Sequence, residues 1–417
     1  MQRSKINEVH RHHCIYACSD ITCKVLRQQN RRKEDKETKM ANENAKIGLT
    51  GEEVAHAADP EGNGFNIKEL MKLMGDDRFD ADAFAASPDM ADFLEGMSAM
   101  GRGEDTPAAI EYWHNFGKGL HKELHDAEDP LNRWASYVPL AAKESDRKFP
   151  LIFLLHGAHN PILMTEGYGM IQVAAENECI VIVPQNENLD RLLELLDYAK
   201  EHYPVDLSRV YMCGYSFGGF MTARNAWLRP DIFAGVGWGG MLFSTEIEGH
   251  YMDDQYYPEF RLTDEMIGRM KELKMPMLLF MGENEMLCLE PLWRDQEHKA
   301  PDHNIPLDSA DKHRAFNNFR LASGCPEEQF KKKEYYENHS DPVVRSIGAE
   351  FERTEVIEDR GRKYFIGDSV NEDGECLFRT VSAQGMNHST TRMWAPMIWE
   401  HISRYARDPE TGRLISL

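Results

Sequence analysis

The 417-residue chain has no run of apolar residues approaching the roughly 20 needed to cross a bilayer. It has no excess of positive charge either: 48 Lys and Arg face 70 Asp and Glu, a net charge of -22. That balance argues against a nucleic-acid partner, which needs a basic footprint, and without an apolar run no membrane partner is expected. Cysteine is sparse, 8 residues with no CxxC pair. Scattered thiols argue against a disulfide framework and for a cytoplasmic setting. Mean hydropathy of -0.57 with 41% hydrophobic residues leaves a globular protein with ample core.

The first 39 residues stand apart. Ten Lys and Arg against five Asp and Glu give +5 there, so the remainder carries -27. Cys14, Cys18 and Cys23 lie near His10, His12 and His13, but their spacing fits no zinc pattern. No apolar stretch resembles a signal peptide, and Met40 opens more ordinary sequence. Residues 1–39 are therefore expected to be a basic, disordered or non-native extension.

Residues 40–130 read as a helical extension. Thr50 with Glu53 forms a capping box, and Ile67, Leu70, Met71 and Met74 recur at helical spacing, as do Met90, Phe93, Leu94 and Met97. His114, His121 and His125 read as surface positions on these helices. The stretch Asp59–Gly64 resembles the start of a calcium loop, but position 12 is Leu70 rather than the required Glu, so no metal is expected.

From 131 to 417 the pattern changes. Apolar runs at Trp134–Val138, Leu151–Leu155, Cys179–Val183, Val210–Cys213, Ala234–Trp238, Met277–Met281 and Leu377–Val381 are separated by helical segments near 164–177, 189–202, 217–229 and 264–273. Continuous apolar strands alternating with helices predict an α/β fold, a mainly parallel sheet covered on both faces. Residues 286–375 interrupt the rhythm as a polar insertion before the last strand, with one clear helix over 311–322 and room for a substrate-covering lobe.

The motif with most chemistry is Gly214-Tyr215-Ser216-Phe217-Gly218-Gly219, between an apolar run and a helix. Strand, Gly-x-Ser-x-Gly, helix is the context of a nucleophile elbow, in which a strained turn raises the serine hydroxyl above the sheet. A serine nucleophile needs a base, an orienting acid and oxyanion donors. His388 in Gly385-Met386-Asn387-His388, after the final strand, is placed to be the base. The acid is expected after Met277–Met281, where Glu285 is preferred and Glu283, Glu290, Asp302 and Asp308 stay open. His156-Gly157-Ala158-His159 ends another strand. The backbone N–H groups of Ala158 and Phe217 are the expected oxyanion donors, with His156 and Gly157 shaping the loop.

With these residues the chain resembles an alpha/beta-hydrolase, and more narrowly the polyhydroxybutyrate-depolymerase-like esterases, a group that includes feruloyl and acetylxylan esterases. Leu154-Leu155-His156-Gly157, the stretch 174–185, Val205–Tyr211 leading into the elbow, Pro230–Ala234 and Trp399–Arg407 carry the likeness. It implies Ser216, His388 and Glu285 as a triad, a small-molecule or oligomeric ester as substrate, and no cofactor. Oligomeric state is left open. Gly-Tyr-Ser-Phe-Gly-Gly-Phe-Met-Thr also resembles the elbow of prolyl-oligopeptidase-like peptidases, although 41–130 is too short for their propeller. A non-catalytic binding protein on the same fold is the third reading.

Overall fold

The computed structural model describes residues 119–143, 145–157, 162–240, 262–283, 291–294, 309–329, 331–386 and 389–417. The expectations for 1–39, for the helices between 40 and 118 and for the calcium-loop resemblance lie outside these residues. The strands are β1 (Leu120–His125), β2 (Trp134–Pro139), β3 (Phe149–Leu155), β4 (Ile180–Pro184), β5 (Val205–Tyr215), β6 (Gly235–Gly239), β7 (Met277–Gly282), β8 (Arg353–Asp359), β9 (Arg362–Val370) and β10 (Cys376–Ala383). A short ribbon of β11 (Tyr405–Arg407) and β12 (Leu414–Ser416) follows. The helices are α1 (Met170–Glu176), α2 (Leu189–His202), α3 (Phe217–Leu228), α4 (Asp264–Leu273), α5 (Ser309–Ala322), α6 (Lys333–Glu337), α7 (Pro342–Ile347) and α8 (Trp394–Ile402).

Ten strands form one sheet in the order β1-β2-β4-β3-β5-β6-β7-β10-β9-β8. From β4 to β10 every neighbouring pair is parallel. The outer pairs are antiparallel. The central strands are apolar along their whole length because both faces are covered: all of β3, β4, β6 and β7 is buried. One face packs α1 and α8 through Ile171, Ala174, Trp394, Ile398 and Ile402. The opposite face packs α2 to α5, through Leu192, Leu195, Leu196, Phe220, Met270, Phe316 and Phe319. Each fully buried Leu or Phe side chain contributes about 1.5–3 kcal/mol. Among the described residues no helix is long and apolar enough to cross a membrane.

Two segments differ from expectation. Residues 120–125 are not the end of a helical extension but edge strand β1, so His121 and His125 lie on a strand. Leu120 and Leu124 fit either period, and Lys122 decides between them. It is buried between them, with Nζ 3.0 Å from Glu166 Oε1, the same oxygen that accepts the Tyr137 hydroxyl at 2.6 Å. A lysine that reads as a solvated helix face is an inward strand residue with a partner 44 positions away. His125 stacks on Trp134 with ring centroids 3.6 Å apart.

Within 286–375 the structure adds α6, α7 and the hairpin β8–β9 to the expected helix. The hairpin lengthens the sheet beyond β10. β9 is buried through Tyr364–Gly367 and at Ser369, whereas β8 is mostly exposed because it is the last strand.

Candidate active site

The elbow forms where β5 meets α3. Ser216 stands at the junction with φ 57° and ψ -122°, outside the regions an L-residue prefers. Such backbone costs about 1–3 kcal/mol and persists where its surroundings over-determine it. Those surroundings are specific. The Ser216 N–H donates to Gly239 O at 2.9 Å, and Ser216 O accepts from the Phe220 N–H at 3.0 Å. A Cβ on Gly214 would collide with Gly218 O, and one on Gly218 would stand 2.5 Å from Leu155 O and 2.6 Å from His156 O. Thr222 Oγ1 donates to Gly218 O at 2.7 Å. Phe217 is the first residue of α3, where backbone N–H groups have no acceptor within the helix.

The strand order, with a strained serine turn on the strand at its centre, decides the architecture. The chain has the alpha/beta-hydrolase fold. No family model matches it. Poly(3-hydroxyalkanoate) depolymerase C of Paucimonas lemoignei is 27% identical over 109 residues, 21% of this chain and 26% of that protein, so the match spans about a quarter of the relative's length. Among solved structures, the acetyl xylan esterase from Aspergillus awamori is 12% identical with a TM-score of 0.41, covering 68% of this chain and 99% of that one. An S-formylglutathione hydrolase from Agrobacterium tumefaciens is 12% identical with a TM-score of 0.40, over 68% and 95%. A fluorophosphonate-binding serine hydrolase of Staphylococcus aureus is 17% identical with a TM-score of 0.33, over 40% and 82%.

In this alpha/beta-hydrolase sheet the C-terminal ends of β3, β5, β6, β7 and β10 share one edge, and the sequence-predicted residues follow those ends. After β3, His156 is buried and its Nδ1 lies 2.7 Å from Gly157 O. The Gly157 N–H donates to the Tyr168 hydroxyl at 3.1 Å. Tyr168 packs edge-on against Tyr215 and Trp394, with centroids 6.2 and 6.0 Å away. Tyr215, beside the elbow serine, thereby packs between the loop after β3 and the start of α8. Ala158 and His159 lie outside the described residues.

The ends of β7 and β10 are tied together. Gly282 pairs with Ala383. The Glu283 N–H donates to Ala383 O at 3.1 Å, and Glu283 Oε2 accepts from the Gly385 N–H at 3.0 Å. Of the open acid candidates, Glu283 is thus seen holding the turn that leads into the His388 loop. Glu285, Glu290, Asp302, Asp308 and His388 lie outside the described residues. Met386 is fully buried, and Ser389, Thr390 and Thr391 are buried where the chain enters α8.

Two residues near this edge had no place in the sequence reading. Tyr168 lies in a 3-10 stretch, Ile162–Tyr168, that carries no motif. Glu187 follows β4 between two asparagines and reads as an ordinary loop carboxylate. Yet it is 4% exposed, and its Oε1 is 3.8 Å from His156 Nε2. Burial holds its carboxyl well above the usual carboxylate range, opposed only in part by the His156 backbone N–H.

Proposed function

We propose that the chain is a serine carboxylic-ester hydrolase working through an acyl-enzyme on Ser216. The observation that carries this reading is the backbone of Ser216, held at φ 57° and ψ -122° by main-chain contacts from β3, β6 and α3. A strained turn so thoroughly enforced, lifting one hydroxyl above the sheet, is what an exposed nucleophile requires. Ser216 Oγ attacks the ester carbonyl while His388 takes its proton and Glu285 orients the imidazole. The N–H groups of Phe217 and Ala158 receive the oxyanion. His388 then protonates the departing alcohol and activates the water that releases the acid.

Two further observations support it. Strands β7 and β10, after which Glu285 and His388 come in the sequence, run parallel to β5 and end on the same sheet edge as β5. The curated relative is by name a depolymerase of a polyester, which favours a small-molecule or oligomeric ester as substrate. The test is Ser216→Ala on p-nitrophenyl acetate. By analogy with other serine enzymes, kcat falls by about 10⁴-fold or more. An unchanged rate overturns the reading, and hydrolysis of aminoacyl anilides but not esters replaces it with the peptidase.

A further inference from the structure

Helix α7 and the hairpin β8–β9 enclose a hollow of about 250 Å³ beside the ends of β7 and β10. Phe365 and Val356 give it an apolar lining, and Glu283, Gln384, Arg345 and Lys363 bring the charged and polar groups. Its place is fixed by main-chain bonds just past β10. The Gln384 N–H donates to Lys363 O at 2.8 Å, and the Lys363 N–H donates to Gln384 Oε1 at 3.4 Å. The hollow therefore lies at the sheet edge where β5, the strand that leads into Ser216, also ends.

The charge in this hollow runs against that of the chain. The net charge of -22 repels anions in general, yet here two cations face the single acid Glu283. Other cations on this flank are matched: Arg379 with Asp368, Arg392 with Asp359, and Lys274 with Glu375. Among the described residues neither Arg345 nor Lys363 forms an ion pair. Arg345 donates one guanidinium N–H to His339 O at 2.7 Å, which leaves others available. Lys363 Nζ has no such bond, although Glu358 is its register partner across the hairpin. The Glu283 carboxylate is engaged by the Gly385 N–H. An adjoining hollow shares Pro342 and Val356 but carries Asp341 and Glu355 and no cation. The positive charge is confined to the first.

We propose that Arg345 and Lys363 form a subsite for a carboxylate carried by the substrate away from the bond that is cut. The guanidinium fork matches a carboxylate and the ammonium adds a point charge, while Phe365 and Val356 cover the neighbouring hydrocarbon. The subsite presupposes the esterase reading and narrows its substrate to elongated, acid-ended esters. The length follows from the sheet. Strands β5, β6, β7 and β10 are successive and about 4.8 Å apart, so the ends of β5 and β10 are separated by about 14 Å. An extended chain covers about 3.5 Å in three bonds, which places about 12 bonds between ester and carboxylate. Two sources supply such a carboxylate: a hydroxy acid as the alcohol part, or a dicarboxylic acid as the acyl part.

The experiment measures kcat/KM for wild type, Lys363→Met, the double variant Lys363→Met/Arg345→Met and Ser216→Ala. One substrate series consists of ω-acetoxyalkanoic acids and the other of mono-p-nitrophenyl dicarboxylates, each with its neutral primary-amide counterpart. Chains of about 4 and about 12 bonds between ester and carboxylate are compared. Wild type is expected to prefer the long acid over the long amide by about five- to tenfold in one series, the effect of two exposed charge pairs, and to show no preference in short chains. The preference should weaken in Lys363→Met and fall below about twofold in the double variant. Both side chains are exposed, and comparing acid with amide in the same variant cancels any general loss of activity. The series that shows the preference identifies the side of the ester that bears the acid. No preference in either series, or one that survives the double variant, refutes the subsite, while hydrolysis that depends on Ser216 keeps the esterase reading. If Ser216→Ala hydrolyses the esters at the wild-type rate, the esterase reading falls and the subsite with it.

Discussion

Gly218→Ala tests the elbow most sharply, because the added methyl has nowhere to go. Its position is 2.5 Å from Leu155 O and 2.6 Å from His156 O, whereas a comfortable C···O contact is about 3.3 Å. Strand β3 is paired on both sides, to β4 and β5, so helix α3 must yield by about 0.8 Å. That helix carries the Phe217 N–H and follows directly on Ser216. A misplacement of about 1 Å in a reacting group costs on the order of 10² in rate. The effect on stability is smaller: overpacking costs about 1–3 kcal/mol, and exchanging Gly for Ala within a helix returns about 1 kcal/mol. The expected signature is a loss of kcat near 100-fold on p-nitrophenyl acetate with a urea midpoint only slightly lowered. Gly268→Ala on α4 is the control, since among the described residues nothing beyond its own helix backbone and chain neighbours lies within 4 Å of its added methyl. It is expected to gain about 0.5–1 kcal/mol and to keep full activity. If Gly218→Ala retains kcat within about threefold of wild type, the close approach of α3 to β3 is not what positions the serine.

Other expectations concern the scaffold. Lys122→Met takes the cation away from Glu166, which stays fully buried, and is expected to cost about 3–5 kcal/mol in urea unfolding. Adding Glu166→Gln should recover a large part of that loss, and no recovery would show that the two groups are not coupled. His313 and His401 are held down to about 3, in each case by burial first and then by cations, Lys312 and Arg314 for the former and Arg379 for the latter. The unfolded chain takes up protons near pH 6.5 while the folded one does not. Stability is therefore fully present above pH 6.5 and is lost as pH falls toward 3, by about 1.4 kcal/mol per pH unit for each histidine. Unfolding free energies measured from pH 7 to 4 should fall less steeply in His401→Gln, and identical slopes would contradict the burial argument.

The parallel core was legible because its strands are apolar end to end. Phe149–Leu155 and Met277–Gly282 admit no other reading once helices flank them. The edges were not, because an edge strand carries the polarity of a surface. Thr354-Glu355-Val356-Ile357-Glu358 has no burial to announce it, and Lys122 disguised β1 until Glu166 was brought beside it. At the site, the elbow was readable since its glycines and serine are fixed by local backbone geometry. Glu187 was invisible for the opposite reason, since its burial arises from packing between loops far apart in the chain.

The junction of β7 and β10 has a consequence for how such a chain can change over time. Gly282 pairs with Ala383, and Glu283 reaches Gly385 across a sequence separation of 102 residues. The two strand ends are thus sealed at their root, and chain leaving one returns to the other at a fixed point. Lengthening the intervening segment adds little closure entropy, about 0.6 kcal/mol per doubling. Sequence can therefore be gained, lost or exchanged between these strands while the turn leading to His388 keeps its footing. The hairpin β8–β9 lies in that stretch and sits on the flank of the sheet, beyond β10.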